Sequence, residues 1–441
     1  MPNTTVDDGG HGILTDPEAG LLETAVEAMG GTLRKWSITQ IDHHPRRGST
    51  AAYRTRVEWP DGERTEILGA RSPSDPADDP IVDARVLRLS DGDREVQVWR
   101  LPADPLLPSL GDLCDRDAVD ALLRSVGVDS AGVRVRIVGY RPCRRAVIEL
   151  DTHLTRLYVK VLRPGQAVGL HRRLVLTRAA GLPTPRSLGW SDGGVVVLEP
   201  LPGVNLRKAL RRFGPRACSP SALSAILDRL PAELGELPRR PSWSESAAHY
   251  ADVIAIIDPE LGTRAESLAA RIQAALDGGD RSEPVHGDFY EAQLLTTGGQ
   301  VTGLLDVDNA GPGNRVDDVA CLLAHLSVLV VMAPSASDGI RDALADWTGR
   351  FDHEVDPRQL RIRAAGVALS LAPGPYRTQE PGWGEAVANR VELAEQWFAA
   401  ARTGSLPNFE KALIGASGSP HLGGERWHKS GPEYALMKES L

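Results

Sequence analysis

Cysteine is scarce: the 441 residues hold four, Cys114, Cys143, Cys218 and Cys321, far apart and without a CxxC pair. Such spacing excludes a disulfide framework and a zinc ribbon, and suits a reducing compartment. A long apolar run is also missing. The longest, Ala320 to Ala333, has 14 residues and includes His325 and Ser327. That falls short of the ~20 residues of a membrane span and predicts a buried helix instead. The N-terminus, MPNTTVDDGGHG, lacks the basic start and apolar stretch of a secretion signal, so the expectation is a soluble cytoplasmic protein with no membrane partner. Basic charge is outweighed, 50 Lys and Arg against 59 Asp and Glu, a net charge of −9. An acidic chain of this kind argues against nucleic acid as a partner, because phosphate contacts need a basic face. Walker-type GxxxxGKS/T and zincin HExxH motifs are absent. One GxSxG occurs, Gly189 to Gly193, but it leads into the strand-like run Gly194–Leu198 rather than a helix, and reads as a hairpin turn.

What is present is ordinary globular composition, 41% hydrophobic and 25% charged, in a length that allows two or three domains of ~150 residues. A helical pattern over Pro17–Met29 precedes strand-like runs at Thr32–Ile41, Ala51–Trp59, through Leu68, Ile81–Leu89 and Glu95–Arg100. His43-His44 lies in a Pro- and Arg-rich stretch and reads as a solvated turn rather than a metal site. After the Pro-rich link Leu101–Pro108 and a helix over Asp115–Val126, three β-rich runs follow, Gly132–Gly139, Ala146–Leu150 and Arg156–Leu162. A helix over Ala167–Ala180 and the strand Gly194–Leu198 complete this part. Beyond Asn205 the spacing turns helical, at 205–212, 219–236, 243–257 and 260–277. Strands followed by helices imply an α+β arrangement. The expected division is a strand-rich cap module over 1–128, a sheet lobe over 129–200, a helical lobe over 201–405 and a loosely ordered tail over 406–441.

Chemistry concentrates in Pro284–Leu326. Leu294-Leu295 and Val301–Leu305 flank the turn Thr297-Gly298-Gly299-Gln300, a hairpin that brings its outer ends together. Asp288 and Gln293 precede it and Asp306 follows it, so these three converge. Phosphoryl transfer needs such a set: one carboxylate for the attacking hydroxyl, another with a neutral oxygen for the metal that bridges the phosphates.

These motifs resemble the aminoglycoside phosphotransferase family, small-molecule kinases related to protein kinases. The family's His-Gly-Asp loop is matched by His286-Gly287-Asp288, and its apolar-apolar-Asp metal strand by Leu304-Leu305-Asp306. The resemblance implies a two-lobed protein-kinase-like fold, with an antiparallel sheet lobe and a mainly helical lobe. It implies ATP and Mg²⁺ as cofactors, Asp288 as catalytic base and Asp306 as the principal Mg²⁺ ligand. Gln293 stands where the family has Asn and is expected to serve as the second ligand, as in the similar maltokinases. His286 and Asp318 are expected to be structural, Asp318 tying the helix after the metal strand to the catalytic loop. Lys160, in Tyr158-Val159-Lys160-Val161, falls where the family's phosphate-binding lysine lies. Glu199-Pro200-Leu201 resembles the hinge beside adenine, which places Glu199 and Leu201 among nucleotide contacts.

The chain departs from the family in two further ways. No acidic residue lies between Pro164 and Leu182, where the lysine's partner Glu is expected. The phosphate-covering turn is not glycine-rich but basic: five Arg and no acid occur between Gly132 and Ile148. Arg144 and Arg145 there are candidate nucleotide contacts, through guanidinium forks. The acceptor is expected to be a small-molecule hydroxyl, a sugar or amino sugar, with Trp383, Arg377 and Gln379 as candidate contacts. An aminoglycoside or other antibiotic kinase, a catalytically silent nucleotide-binding module and a metallophosphohydrolase are the alternatives.

Overall fold

The computed structural model describes residues 10–16, 20–44, 47–74, 83–91, 94–279, 281–332 and 337–409. Most of the N-terminal stretch MPNTTVDDGGHG and nearly all of the tail expected over 406–441 lie outside them. Contacts divide the chain into two compact units, the first made of 1–168, 188–198 and 374–381, the second of 169–187, 199–373 and 382–441.

The first unit opens with helices α1 (His11–Thr15) and α2 (Leu21–Ala28) and a five-stranded sheet. Its strands are β1 (Thr32–His44), β2 (Gly48–Trp59), β3 (Gly62–Ser72), β4 (Val86–Asp91) and β5 (Arg94–Arg100), in the order β1-β2-β3-β5-β4. Along β2 the side chains alternate, Tyr53, Thr55, Val57 and Trp59 buried and Arg54, Arg56 and Glu58 exposed. A strand with one face on a core requires that period of two. His43 and His44 are not in a turn: β1 continues through them, paired with Ser49 and Gly48 of β2. His43 Nδ1 lies 2.8 Å from Ser49 Oγ. The sheet ladder, which composition near Pro45 hides, carries the strand past the expected end at Ile41.

Helices α3 (Ser109–Asp112) and α4 (Arg116–Ser125) follow, the latter capped by Asp115, whose side chain accepts from the Ala118 N–H. The second sheet consists of β6 (Arg134–Arg141), β7 (Arg145–Asp151), β8 (Arg156–Leu162), β9 (Ser187–Trp190) and β10 (Val195–Leu198), ordered β6-β7-β8-β10-β9. The GxSxG sequence forms the turn between β9 and β10, as its context predicted. All four residues of β10 are buried, as an interior strand covered on both faces demands. One core joins Ala52, Leu107, Leu110, Leu113, Val119 and Leu123 to Tyr140, Ile148, Leu150, Val159 and Val197. Residues before 128 therefore share their packing with the sheet that follows.

The second unit is mainly helical. It holds most of α5 (Ala167–Ala179), then β11 (Val204–Asn205), α6 (Leu206–Phe213), α7 (Pro220–Asp228), α8 (Ala247–Ile257) and α9 (Pro259–Ala275). The spacing over 219–236 does not give one helix. Helix α7 stops at Asp228 and a 3-10 turn resumes at Ala232, because Pro231 lacks an N–H and disfavours the helical conformation of Leu230. Next come β12 (Glu283–Val285), β13 (Leu294–Thr297), β14 (Gln300–Leu304), β15 (Gly311–Gly313) and α10 (Arg315–Met332). The chain ends in α11 (Asp338–Phe351), α12 (Pro357–Leu371), α13 (Gly374–Arg377, part of the first unit) and α14 (Trp383–Ala400). The apolar stretch from Ala320 is the buried body of α10. Among the described residues no helix is long and apolar enough to cross a membrane.

Candidate active site

The hairpin β13–β14 forms as the spacing predicts, with Leu294 opposite Leu304 and Thr297 opposite Gln300. Its outer ends meet: the Leu305 N–H donates to the Gln293 carbonyl at 2.8 Å. At the next residue the chain turns sharply, with Asp306 in the left-handed region at φ 59° and ψ 46°. Asp is one of the few side chains that enters this region readily, since a β-branched or bulky residue would be strained there. The turn brings Asp306 Oδ2 to 3.3 Å from Gln293 Nε2, which also donates to the Tyr290 hydroxyl at 3.0 Å.

The His-Gly-Asp loop is pinned from three sides. The main-chain N–H groups of His286 and Gly287 donate to Asp318 Oδ2 and Oδ1, at 2.7 and 2.8 Å. Buried His286 donates from Nε2 to the Leu305 carbonyl at 2.9 Å, and its Nδ1 accepts from the Asp288 N–H at 3.3 Å. This pair of bonds assigns the proton of neutral His286 to Nε2. Gly287 lies at φ 79°, and a Cβ there would come within 2.7 Å of the Asn309 carbonyl. Only glycine permits that approach, so the residue between His286 and Asp288 is dictated by the backbone.

Electrostatics separates the carboxyl groups. Burial raises the Asp318 pKa, against the lowering effect of His286 and the two backbone donors. The Tyr290 hydroxyl is pushed up by burial and then by Asp288, Glu291 and Asp306. Both candidate carboxylates therefore act on the same phenol. Burial likewise pushes up Cys321, whose Sγ lies 4.0 Å from Asp288 Oδ1, with Asp288 and Asp318 adding to the effect. His325 stacks on Tyr290 with ring centres 3.9 Å apart, and burial lowers its pKa to about 3, helped by Arg207 and Arg390.

The donor set fits Mg²⁺. Asp306 carboxylate and Gln293 carboxamide are hard oxygen donors already side by side, and an amide exchanges its nitrogen and oxygen by a half-turn. Glu291, fully buried one turn from Asp288, pairs with Arg207 through 2.8 Å bonds from Nε and Nη2. Arg173 of α5 donates from Nε to the Ala310 carbonyl at 2.7 Å, bracing the turn that follows Asp306.

The remaining candidate residues are divided between the two units. Lys160 sits on β8 opposite Val196 of β10. Arg145 opens β7 opposite Leu162, and Arg144 is exposed in the turn before it. That turn is anchored by buried Asp104, which accepts from the Cys143 N–H at 2.7 Å and the Tyr140 hydroxyl at 2.8 Å. The Glu199 N–H is committed to the Arg186 carbonyl at 3.0 Å, and Leu201 lies two residues on in an irregular stretch. Trp383 begins α14 in the second unit, whereas Arg377 and Gln379 belong to the first. Arg377 acts there on Asp42, and Gln379 Nε2 donates to the Tyr376 carbonyl at 2.7 Å. Sequence reasoning missed Tyr290, Glu291, Arg173, Cys321 and His325 as site neighbours. The step from Asp318 to Cys321 to His325, three and then four residues, is a one-face helical signal that was there to be used.

Phosphoryl transfer calls for a proton acceptor and hard oxygen donors to a metal, and Asp288, Asp306 and Gln293 have the side-chain chemistry for those roles. Residues 145–363 match the model of the phosphotransferase enzyme family, APH, and this stretch of the chain belongs to that family. The protein is a small-molecule kinase with a hydroxyl acceptor, and its fold is α+β as expected. No curated protein matches the chain significantly. Among solved structures, an aminoglycoside-3'-phosphotransferase of type VIII is similar at 22% identity, covering 54% of this chain and 94% of that one, with TM-score 0.40. The macrolide 2'-phosphotransferase MphH from Brachybacterium faecium is similar at 18% identity, covering 62% and 98%, with TM-score 0.37. Choline kinase LicA from Streptococcus pneumoniae is similar at 16% identity, covering 64% and 98%, with TM-score 0.43.

Proposed function

We propose that the protein transfers the γ-phosphate of ATP, in the presence of Mg²⁺, to a hydroxyl of a sugar or amino sugar. The observation that carries this reading is the meeting of Gln293 with Asp306 next to a His-Gly-Asp loop locked by Asp318. Asp288 accepts the hydrogen bond of the attacking hydroxyl and takes its proton as the new P–O bond forms. His286 holds the Asp288 backbone through its Nδ1. Asp306 and Gln293 would hold Mg²⁺, which neutralises charge on the phosphate oxygens. Lys160, Arg144 and Arg145 supply phosphate contacts, and Glu199 and Leu201 the base contact. The preference for a sugar rests on Gln293 standing in the Asn position, with Trp383 offering an aromatic face.

ATP consumption measured over sugars, amino sugars, aminoglycosides and choline, with Asp288→Ala as the blank, tests this reading. Turnover with a sugar or amino sugar that vanishes in the blank is expected. Turnover only with aminoglycosides or choline would replace the acceptor, and phosphate-ester hydrolysis without ATP would replace the reaction class. One observation favours a second reading, a catalytically silent nucleotide-binding module: helix α5 presents Arg173 and no acid. Tight ATP binding without turnover on any acceptor would select it.

A further inference from the structure

We propose that Asp288, Cys321 and His325 form a second cation site, selective for Zn²⁺ over Mg²⁺, whose occupation switches the kinase off. One ligand atom from each of the three lies within 4.8 Å of the others. Cys321 and His325 are four residues apart on α10, so both side chains leave the same face of that helix and meet the catalytic loop together. Asp318, three residues before Cys321, holds that loop against the same face through its two N–H bonds.

The chemistry of the donors chooses the metal. A thiolate, an imidazole and a carboxylate are the ligand types of Zn²⁺, with a fourth tetrahedral position left for water. Tetrahedral Zn²⁺ with such ligands holds its donor atoms about 3.3–3.7 Å apart. The 4.0 Å between Cys321 Sγ and Asp288 Oδ1 needs only a small closure to reach that spacing. Mg²⁺ instead demands oxygen donors in octahedral array and is reluctant to shed its waters. It is therefore directed to Asp306 and Gln293, and the two sites share no ligand. His325 is held for coordination by its stack on Tyr290, with ring planes only 17° apart.

Binding forms one Zn–S, one Zn–N and one Zn–O bond and releases the Cys321 thiol proton to solvent; no oxidation state changes. The Asp288 oxygen taken by the metal no longer accepts the substrate hydroxyl. Binding rests on the three side chains alone, and only the inhibition rests on the role proposed for Asp288.

The test uses the full chain, titrated with Co²⁺ as a spectroscopic stand-in for Zn²⁺, without nucleotide or acceptor. The wild-type protein should show a thiolate-to-cobalt charge-transfer band and four-coordinate visible bands, and added Zn²⁺ should abolish both. Cys321→Ser should lose the charge-transfer band, and His325→Phe, which keeps the ring against Tyr290, should weaken binding. In a coupled assay at fixed Mg²⁺, the response of Cys321→Ser to Zn²⁺ is read against its own rate without Zn²⁺. The variant should require more Zn²⁺ for half-inhibition, by at least the roughly 10–100-fold that even an outer-shell change costs. Absence of the charge-transfer band in wild type overturns the site, as does equal Zn²⁺ sensitivity of wild type and Cys321→Ser. A band in a protein that turns over no acceptor leaves the cation site standing and removes the kinase reading instead.

Discussion

Two turns, one in each unit, are held by the same device. The turn Arg141–Arg144 hangs on Asp104, and the His286–Asp288 loop hangs on Asp318; each carboxylate is buried and accepts main-chain N–H bonds from the turn. In both, burial raises the carboxyl pKa while the turn's donors oppose it. They differ in what stands next to the anchor. Asp318 holds the N–H groups of His286 and Gly287, the two residues immediately before Asp288, so its geometry bears directly on the proposed base. Asp104 fixes a turn whose candidate nucleotide contacts, Arg144 and Arg145, lie one and two positions beyond the anchored Cys143. Anchoring alone therefore does not mark a catalytic loop. What sets the proposed catalytic loop apart is the hairpin that follows it, at whose outer ends Gln293 meets Asp306.

The contrast can be broken by mutation. Asp306→Ala and Asp288→Ala are expected to abolish turnover, the first by more than the ~10²–10⁴-fold typical of a proton acceptor. ATP should still bind the Asp288 variant, by calorimetry. Near-full turnover of Asp288→Ala would remove it as the base. Next in size, Asp318→Ala should cost about 1–3 kcal/mol for each N–H it orphans. It should also lower kcat, because the loop that aims Asp288 is released. Denaturant melts and steady-state kinetics on one preparation read both.

Asp104→Ala should be destabilised to a similar degree, about 1–3 kcal/mol per unpaired donor, yet leave kcat close to the parent while raising KM for ATP. An unchanged KM would detach Arg144 and Arg145 from the nucleotide, and a fall in kcat like that of Asp318→Ala would erase the distinction between the two turns.

The smallest effect concerns Asp42. Burial pushes its carboxyl up, but Arg141, Arg377 and Arg144 outweigh that and leave it lowered. A carboxylate lowered in the folded state binds fewer protons there than in the unfolded chain. Its stabilisation is then full above the unfolded pKa of about 4 and is lost as the pH falls through the lower folded value. Asp42→Asn should flatten the acid limb of stability below about pH 4. An acid limb as steep as the parent's would show that Asp42 does not carry it.

Much of the site was legible because it is local. His286, Asp288, Gln293 and Asp306 sit at the two ends of one hairpin, whose turn residues and alternating apolar pairs are readable in sequence. Asp318 was reachable by counting forward from Asp306. Boundaries were less legible. Strand β1 runs on through His43 and His44 because β2 supplies its partners, and no local propensity reports a ladder partner. Arg173 and Arg207 were illegible for a similar reason: the acceptor of one is a carbonyl 137 residues away, and the ion-pair partner of the other is Glu291, 84 residues away.

By itself, then, the chain's pattern determined the α+β character, the hairpin, the glycine between His286 and Asp288, and the meeting of Gln293 with Asp306 at the open end of a short ribbon. These follow from backbone rules that act over a few residues. Only the tertiary structure decided that Cys321 and His325 face Asp288, that Arg173 of α5 bonds the Ala310 carbonyl, and that Arg377 acts on Asp42. Those outcomes depend on which helix face turns toward which loop, and that choice is made by burial summed over the whole core.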